Sequence, residues 1–273
     1  NAELRKAYET LQKEQVPAVY YLTKEEIGIP MDAMVDGVHS TDLGMQQYAD
    51  SYQKKIREIL CEDNQGPASC IPCKQQRDPY DWYGRHEEIL KLNKPEIVMI
   101  GNSITHFWGG DPIAHNQFGK ESWEKLFKGR SVRNLGFGWD KTENVLWRIY
   151  HGELDGFQAR NIFLLIGTNN LSFNSDEEII EGICRIAKAI HERQPQAKLC
   201  IMGILPRKGM EARIAGIDAE LQKQLAGKDC TYIDLAPQLT QKDGSIDSSL
   251  FRDGLHPNAE GYKRIAKVLK GYL

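Results

Sequence analysis

The chain of 273 residues contains no apolar run approaching the roughly 18 residues that a membrane-spanning helix needs, so no membrane span is expected. It also lacks an excess of either charge. Its 35 Lys and Arg against 38 Asp and Glu leave a formal charge of −3, which supplies no electrostatic footprint for nucleic acid or an anionic membrane. A single Cys-x-x-Cys, Cys70-Ile71-Pro72-Cys73, has no second pair to complete a zinc set, and His86-Glu87-Glu88 has no second His four residues on. Neither a structural zinc site nor a zincin follows, and no metal or cofactor is expected. The glycine-flanked G-x-S-x-G elbow is absent around Ser103, which argues against an α/β-hydrolase. An initiator Met and a signal-peptide pattern are missing from Asn1-Ala2-Glu3-Leu4-Arg5-Lys6, so the chain is expected to be a processed or truncated product.

Cys184, Cys200 and Cys230 occupy apolar contexts and read as buried small hydrophobes. Cys61, Cys70 and Cys73 share a polar loop. A disulfide there would need an oxidising compartment, which favours a periplasmic or secreted location over a cytoplasmic one.

What is present is an alternation of apolar runs with amphipathic stretches from residue 96 onward. Strands are expected at Glu96–Ile100, Val132–Leu135, Asn161–Ile166, Lys198–Leu205 and Thr231–Leu235. Helices are expected at Glu121–Phe127, Thr142–Tyr150, Asp176–Glu192 and Glu211–Leu225, with a last helix opened by Pro257. This order predicts an α/β fold, a three-layer α/β/α sandwich around a central parallel sheet. Three segments sit where an apolar run stops: Gly101-Asn102-Ser103-Ile104-Thr105, Asn134-Leu135-Gly136-Phe137-Gly138-Trp139-Asp140 and Gly167-Thr168-Asn169-Asn170. A fourth, Asp253-Gly254-Leu255-His256-Pro257, precedes the final helix. In an open parallel sheet such points share one rim, where ligands bind. A serine, a glycine-rich turn, an asparagine and an Asp/His pair on one rim are the parts a serine esterase needs.

The first ninety residues do not fit as a lead-in. Asp36-Gly37-Val38-His39 followed by Gly44 repeats Asp253-Gly254-Leu255-His256 followed by Gly261 at the same spacing, and Ala49 matches Ala266. With a helix over Ala2–Glu14 and a strand-like Val19-Tyr20-Tyr21-Leu22, residues 1–60 read as an α-β-α partial repeat. A lone strand between helices needs a sheet to complete it. An upstream copy of the domain or self-association through this segment would provide one. Residues 61–76, with Gly66, Pro67 and Ser69, read as a linker, and residues 77–273 as the main domain.

On these blocks, residues 77–273 resemble the SGNH (GDSL-type) hydrolases. They are closest in pattern to the catalytic subunits of platelet-activating factor acetylhydrolase and related bacterial esterases. Asn144-Val145-Leu146-Trp147-Arg148, Gly152-Glu153-Leu154 and Leu205-Pro206-Arg207 add to the match, and residues 1–60 resemble the tail of a second such domain. The resemblance implies that Ser103 is the nucleophile, His256 the general base and Asp253 its orienting acid. It implies oxyanion donors at Ser103, Gly138 or Trp139, and Asn169. Trp139, Asn170, Thr105 and His106 are the substrate-lining candidates. This chain departs from the family in carrying Asn102 where Asp precedes the serine, and Trp139 where a glycine precedes Asp140. A Trp at that point either walls a narrow acyl pocket or is core. Tyr80, Asp81, Trp82, Arg85 and His86 either cover the crevice or, on the preferred reading, form an amphipathic helix on the sheet.

The function so implied is a metal-independent serine esterase acting on small acyl groups, O-acetyl esters of a glycan, lipid or other small molecule foremost. The reading from another class is an inactive SGNH-like module that binds an acylated glycan or lipid without turnover.

Overall fold

The computed structural model describes residues 2–60, 62, 65–75, 81–92 and 94–273. Cys61, Tyr80 and the expected domain boundary at 76–77 lie outside them. The chain divides into two units, one ending at Glu62 and one running from residue 63 to Leu273.

The first unit has three helices, α1 (Ala2–Lys13), α2 (Lys24–Ile27) and α3 (Asp42–Leu60). Val19–Leu22 does not become a strand. A strand is defined by its hydrogen-bonded neighbour, and β propensity alone cannot supply one. The expected α-β-α partial repeat is therefore helical, with the short α2 between α1 and α3 and no strand at Val19–Leu22. The loop before α3 nevertheless copies the loop near the C-terminus in detail. Asp36 Oδ2 meets His39 Nδ1 at 2.7 Å, and Asp36 Oδ1 accepts from the N–H groups of Val38 and His39. A one-residue bridge, Met34 to Ser40, closes the loop as Phe251 to Pro257 does in the second unit.

The second unit contains the sheet. Strands β1 (Ile97–Gly101), β2 (Val132–Gly136), β3 (Asn161–Leu165), β4 (Lys198–Met202) and β5 (Thr231–Ile233) are parallel in the order β2-β1-β3-β4-β5. The two-residue period of a strand sorts their side chains into two cores. Val98, Ile100, Ile162, Leu164, Leu199 and Ile201 pack on one face with helices α4 (Trp82–Leu90), α7 (Thr142–Arg148), α8 (Asp176–Arg193) and α9 (Glu211–Leu225). Ile97, Met99, Phe163, Leu165, Cys200 and Met202 pack on the other, against the turn α5 (Ser103–His106), α6 (Lys120–Leu126) and α10 (Ala259–Leu269). The strand order reverses between β1 and β3, and the crevice of such a sheet opens there, at the strands' carboxyl ends.

Two expectations are corrected here. Pro257 does not open α10; Asn258 caps it, its side chain accepting from the N–H groups of Glu260 and Gly261. The supposed linker is built into the second unit over residues 65–75. Ser69 donates to Glu178 O and accepts through its own carbonyl from Thr142 Oγ1, both at 2.8 Å, while Asn144 Nδ2 donates to Cys73 O. Cys70 is a fully buried free thiol, and Cys73 is exposed. Burial lifts the Cys70 thiol to about 11.

Candidate active site

Ser103 follows β1 after a single residue, Asn102, at the first position of α5. Asn102 caps that turn by accepting from the Ile104 N–H at 2.9 Å. Because the cap is supplied by Asn102, the Ser103 hydroxyl is not consumed by capping. It lies 2.9 Å from His256 Nε2, a contact between residues 153 apart in sequence. The turn can sit this close to its neighbours only because of two glycines. A Cβ on Gly101 would stand 2.2 Å from Thr105 Oγ1, and one on Gly136 2.1 Å from the His106 nitrogen.

The loop carrying His256 is held on both sides. Asp253 Oδ1 accepts from the backbone N–H groups of Leu255 and His256, and Asp253 Oδ2 meets His256 Nδ1 at 2.7 Å. Burial works against the charge on Asp253, but the hydrogen bonds from the His256 backbone and ring outweigh it and hold the carboxyl below its usual range. Tyr262 on α10 donates to Ile104 O at 2.7 Å, tying the helix after the histidine to the turn bearing the serine.

The turn after β2 is braced from below by buried charge. Asp140 is fully buried; it accepts from Trp82 Nε1 at 2.7 Å and Gln75 Nε2 at 3.0 Å, and pairs with Arg148 at 2.9 Å. Arg148 also binds Glu153, whose other oxygen meets His86 Nδ1 at 2.8 Å. Burial lifts the Asp140 carboxyl, to about 7, against the pull of Arg148 and the Trp82 indole. Arg85 donates to the carbonyls of Asn134, Gly136 and Pro112. Trp82, Arg85 and His86 thus lie under the turn as part of its foundation. Of the two readings the sequence offered for this cluster, the helix packed on the sheet is the one observed, as α4; the bonds of its polar side chains to the turn were not foreseen.

Trp139 takes a left-handed backbone conformation, φ +67°, and is 59% exposed, so the core reading of this residue is wrong. Asn169, at the end of β3's loop, donates one amide N–H to Asp140 O at 2.9 Å. A primary amide has a second N–H to offer. Gly138 accepts from Gln75 through its carbonyl. Three substrate-lining expectations do not survive. Asn170 is fully buried, bonded to Thr142, Glu143 and Asn174. Thr105 is buried with its hydroxyl against Gly101. His106 is buried, and its ring is driven neutral, to about 3, by burial and by the positive charges of Arg85 and Arg148. All three are short side chains or rings in tight turns whose backbone groups needed local partners.

A cavity of about 430 Å³ opens beside these groups, lined in part by Trp139, Asn169, Leu255, Phe173 and Arg207, with Cys73 and Gln75 of the former linker on its wall. Among the described residues no cluster of His, Cys, Asp or Glu could hold a metal ion. Among the same residues no helix is long and apolar enough to cross a membrane.

A model of the GDSL-like lipase/acylhydrolase family matches residues 99–264, and a second model of that family matches residues 1–57. The chain is 30% identical over 200 residues to platelet-activating factor acetylhydrolase IB subunit alpha1 of Homo sapiens, covering 70% of this chain and 82% of that protein. It is 30% identical over 196 residues to the alpha2 subunit of Rattus norvegicus, covering 69% and 81%. A GDSL-like lipase from Bacteroides thetaiotaomicron shares the fold, with a TM-score of 0.56 at 17% identity over 70% of this chain and 96% of that one.

Proposed function

Because the chain belongs to the GDSL-like lipase/acylhydrolase family and is a carboxylic ester hydrolase, we propose that it cleaves small acyl esters, O-acetyl esters foremost, through Ser103, His256 and Asp253. The observation that carries this reading is the 2.9 Å contact between Ser103 Oγ and His256 Nε2, made by two loops that only the fold brings together.

Ser103 Oγ attacks the acyl carbonyl carbon as its proton passes to His256 Nε2. Asp253 keeps the proton of His256 on Nδ1 and stabilises the imidazolium. The carbonyl oxygen, now an anion, takes hydrogen bonds from the Ser103 N–H, from Gly138 or Trp139 in the turn after β2, and from the second amide N–H of Asn169. Collapse expels the alcohol, which leaves with the proton from His256, and an acyl-serine remains. Water then gives a proton to His256 and attacks the acyl carbon; the acid departs and Ser103 recovers its hydrogen. The indole of Trp139 at the crevice supports a preference for acetyl over longer acyl groups.

Turnover of p-nitrophenyl acetate tests the assignment. Ser103→Ala is expected to lower kcat by at least about 10³-fold, with chelators without effect. Stoichiometric ligand binding with no turnover by the unaltered protein would favour the binding-module reading instead.

The domain organisation is part of the same proposal. Residues 2–60 are the tail of a second GDSL-like module, supported by the family match over 1–57 and by the copied Asp36–His39 loop. The hydrolase domain takes in residues 65–75 as well as those from 81 onward.

A further inference from the structure

The reaction leaves the alcohol half of the ester open, and the cavity bordered by Asn169 and by Leu255, the neighbour of His256, speaks to it. Among the described residues lining that cavity none is acidic, while Lys74, Lys141 and Arg207 are cationic. Two of the three charges are already engaged. Lys141 pairs with Glu143, and the Lys74 ammonium lies 4.2 Å from the centre of the Tyr83 ring. Arg207 makes one bond, from Nη1 to the Thr168 carbonyl at 3.1 Å. No carboxylate pairs with it among the described residues, and its remaining N–H groups face no neutralising partner. The single anchor matters, because Thr168 precedes Asn169: the same loop fixes the amide meant for the oxyanion and the guanidinium at the cavity wall. Phe173, 73% exposed, adds an apolar aromatic face to the same cavity. Such a face takes the C–H face of a ring while polar groups select its substituents.

We propose that the alcohol half of the substrate is a sugar-sized ring bearing a carboxylate, with Arg207 as the residue that reads the carboxylate. A planar guanidinium with unused N–H groups matches a carboxylate in paired hydrogen bonds, which a lysine ammonium does not. This inference rests on the esterase reading above, since it concerns the leaving group of the same reaction. The acyl group is still transferred to Ser103 and then to water, giving acetate and the free hydroxy acid.

The test compares kcat/KM for three O-acetyl esters: of glucuronic acid, of its neutral carboxamide, and of glucose 6-phosphate. The acid is expected to exceed the amide by about tenfold or more, the size of one charge-assisted pair. The difference should reside mainly in KM. In Arg207→Gln the acid-to-amide ratio should collapse towards unity, and Arg207→Lys should restore only part of it. Because a ratio is read, a general loss of activity in either variant does not decide the outcome. Equal rates for acid and amide, or a ratio indifferent to Arg207→Gln, would overturn the inference, and a preference for the phosphate would overturn its carboxylate. Failure of the unaltered protein to turn over even p-nitrophenyl acetate would instead overturn the esterase site itself.

Discussion

At Trp139 an L-residue occupies backbone space that costs it about 1–2 kcal/mol and costs glycine almost nothing. The strain is maintained because the turn is fixed on either side, by Asp140 below and by the Phe137 N–H bonded to Gly101 O. Trp139→Gly should therefore be more stable than Trp139→Ala by roughly 1 kcal/mol in urea unfolding, although both remove the same indole. Both should raise the ratio of butyrate to acetate turnover if the indole limits the acyl pocket. Asp253 gives a second expectation. Its carboxyl is held below the usual range in the folded state, so its share of stability is present above its unfolded value, near about 4, and is lost as pH falls through the lower folded value. The stability deficit of Asp253→Asn should accordingly be largest at neutral pH and vanish in acid, as urea midpoints across pH will show. Its kcat should fall by about 10³- to 10⁴-fold, because the imidazole loses its orienting partner.

The elements around the site depend on a buried ionic chain that connects α4, α7 and the turn after β2. Arg148 stands between Asp140 and Glu153, all three nearly or wholly buried, with the guanidinium over the Phe137 ring at 3.9 Å. Removing the cation leaves two carboxylates without a counter-charge, which costs about 3–5 kcal/mol. Arg148→Met should lose that much in chemical unfolding, and Arg148→Lys should not recover it, since an ammonium cannot reach both acids and the Leu135 carbonyl at once. This chain shows where sequence legibility ends. The apolar positions Val145 and Leu146 of α7, with Ile149 just past its end, are readable in the sequence, as are α9 at its observed bounds and the strands that precede the first three blocks. The ion pairs are not, because each joins residues on different elements and leaves no local pattern. The wall made by residues 65–75 was misread for the same reason: Gly66, Pro67 and Ser69 have loop composition, and only their bonds to Glu178, Thr142 and Asn144 make them structure.

At the level of the whole molecule, the chain carries its own control for what an Asp–His loop can do. Asp36 and His39 reproduce the 2.7 Å carboxylate–imidazole contact, the two backbone bonds to the carboxylate and the bridge that closes the loop, all seen again at Asp253 and His256. Gly44 and Gly261 even share a reason for being glycine, since a Cβ on either would stand 2.3 or 2.4 Å from the carbonyl oxygen of Ala33 or Leu250. This local geometry is therefore written in a short stretch of sequence and forms with or without a catalytic site. What distinguishes the two histidines is long-range: a serine hydroxyl bonds His256, whereas among the described residues none bonds His39. A hydrolase site in this chain that depends on Ser103 must then be indifferent to the first loop. His39→Ala is expected to leave kcat/KM for p-nitrophenyl acetate within about twofold of the unaltered protein, while His256→Ala should remove at least about 10³-fold. Equal losses in the two variants would mean that the first histidine also serves a reacting serine, and that the site is not the one drawn around Ser103.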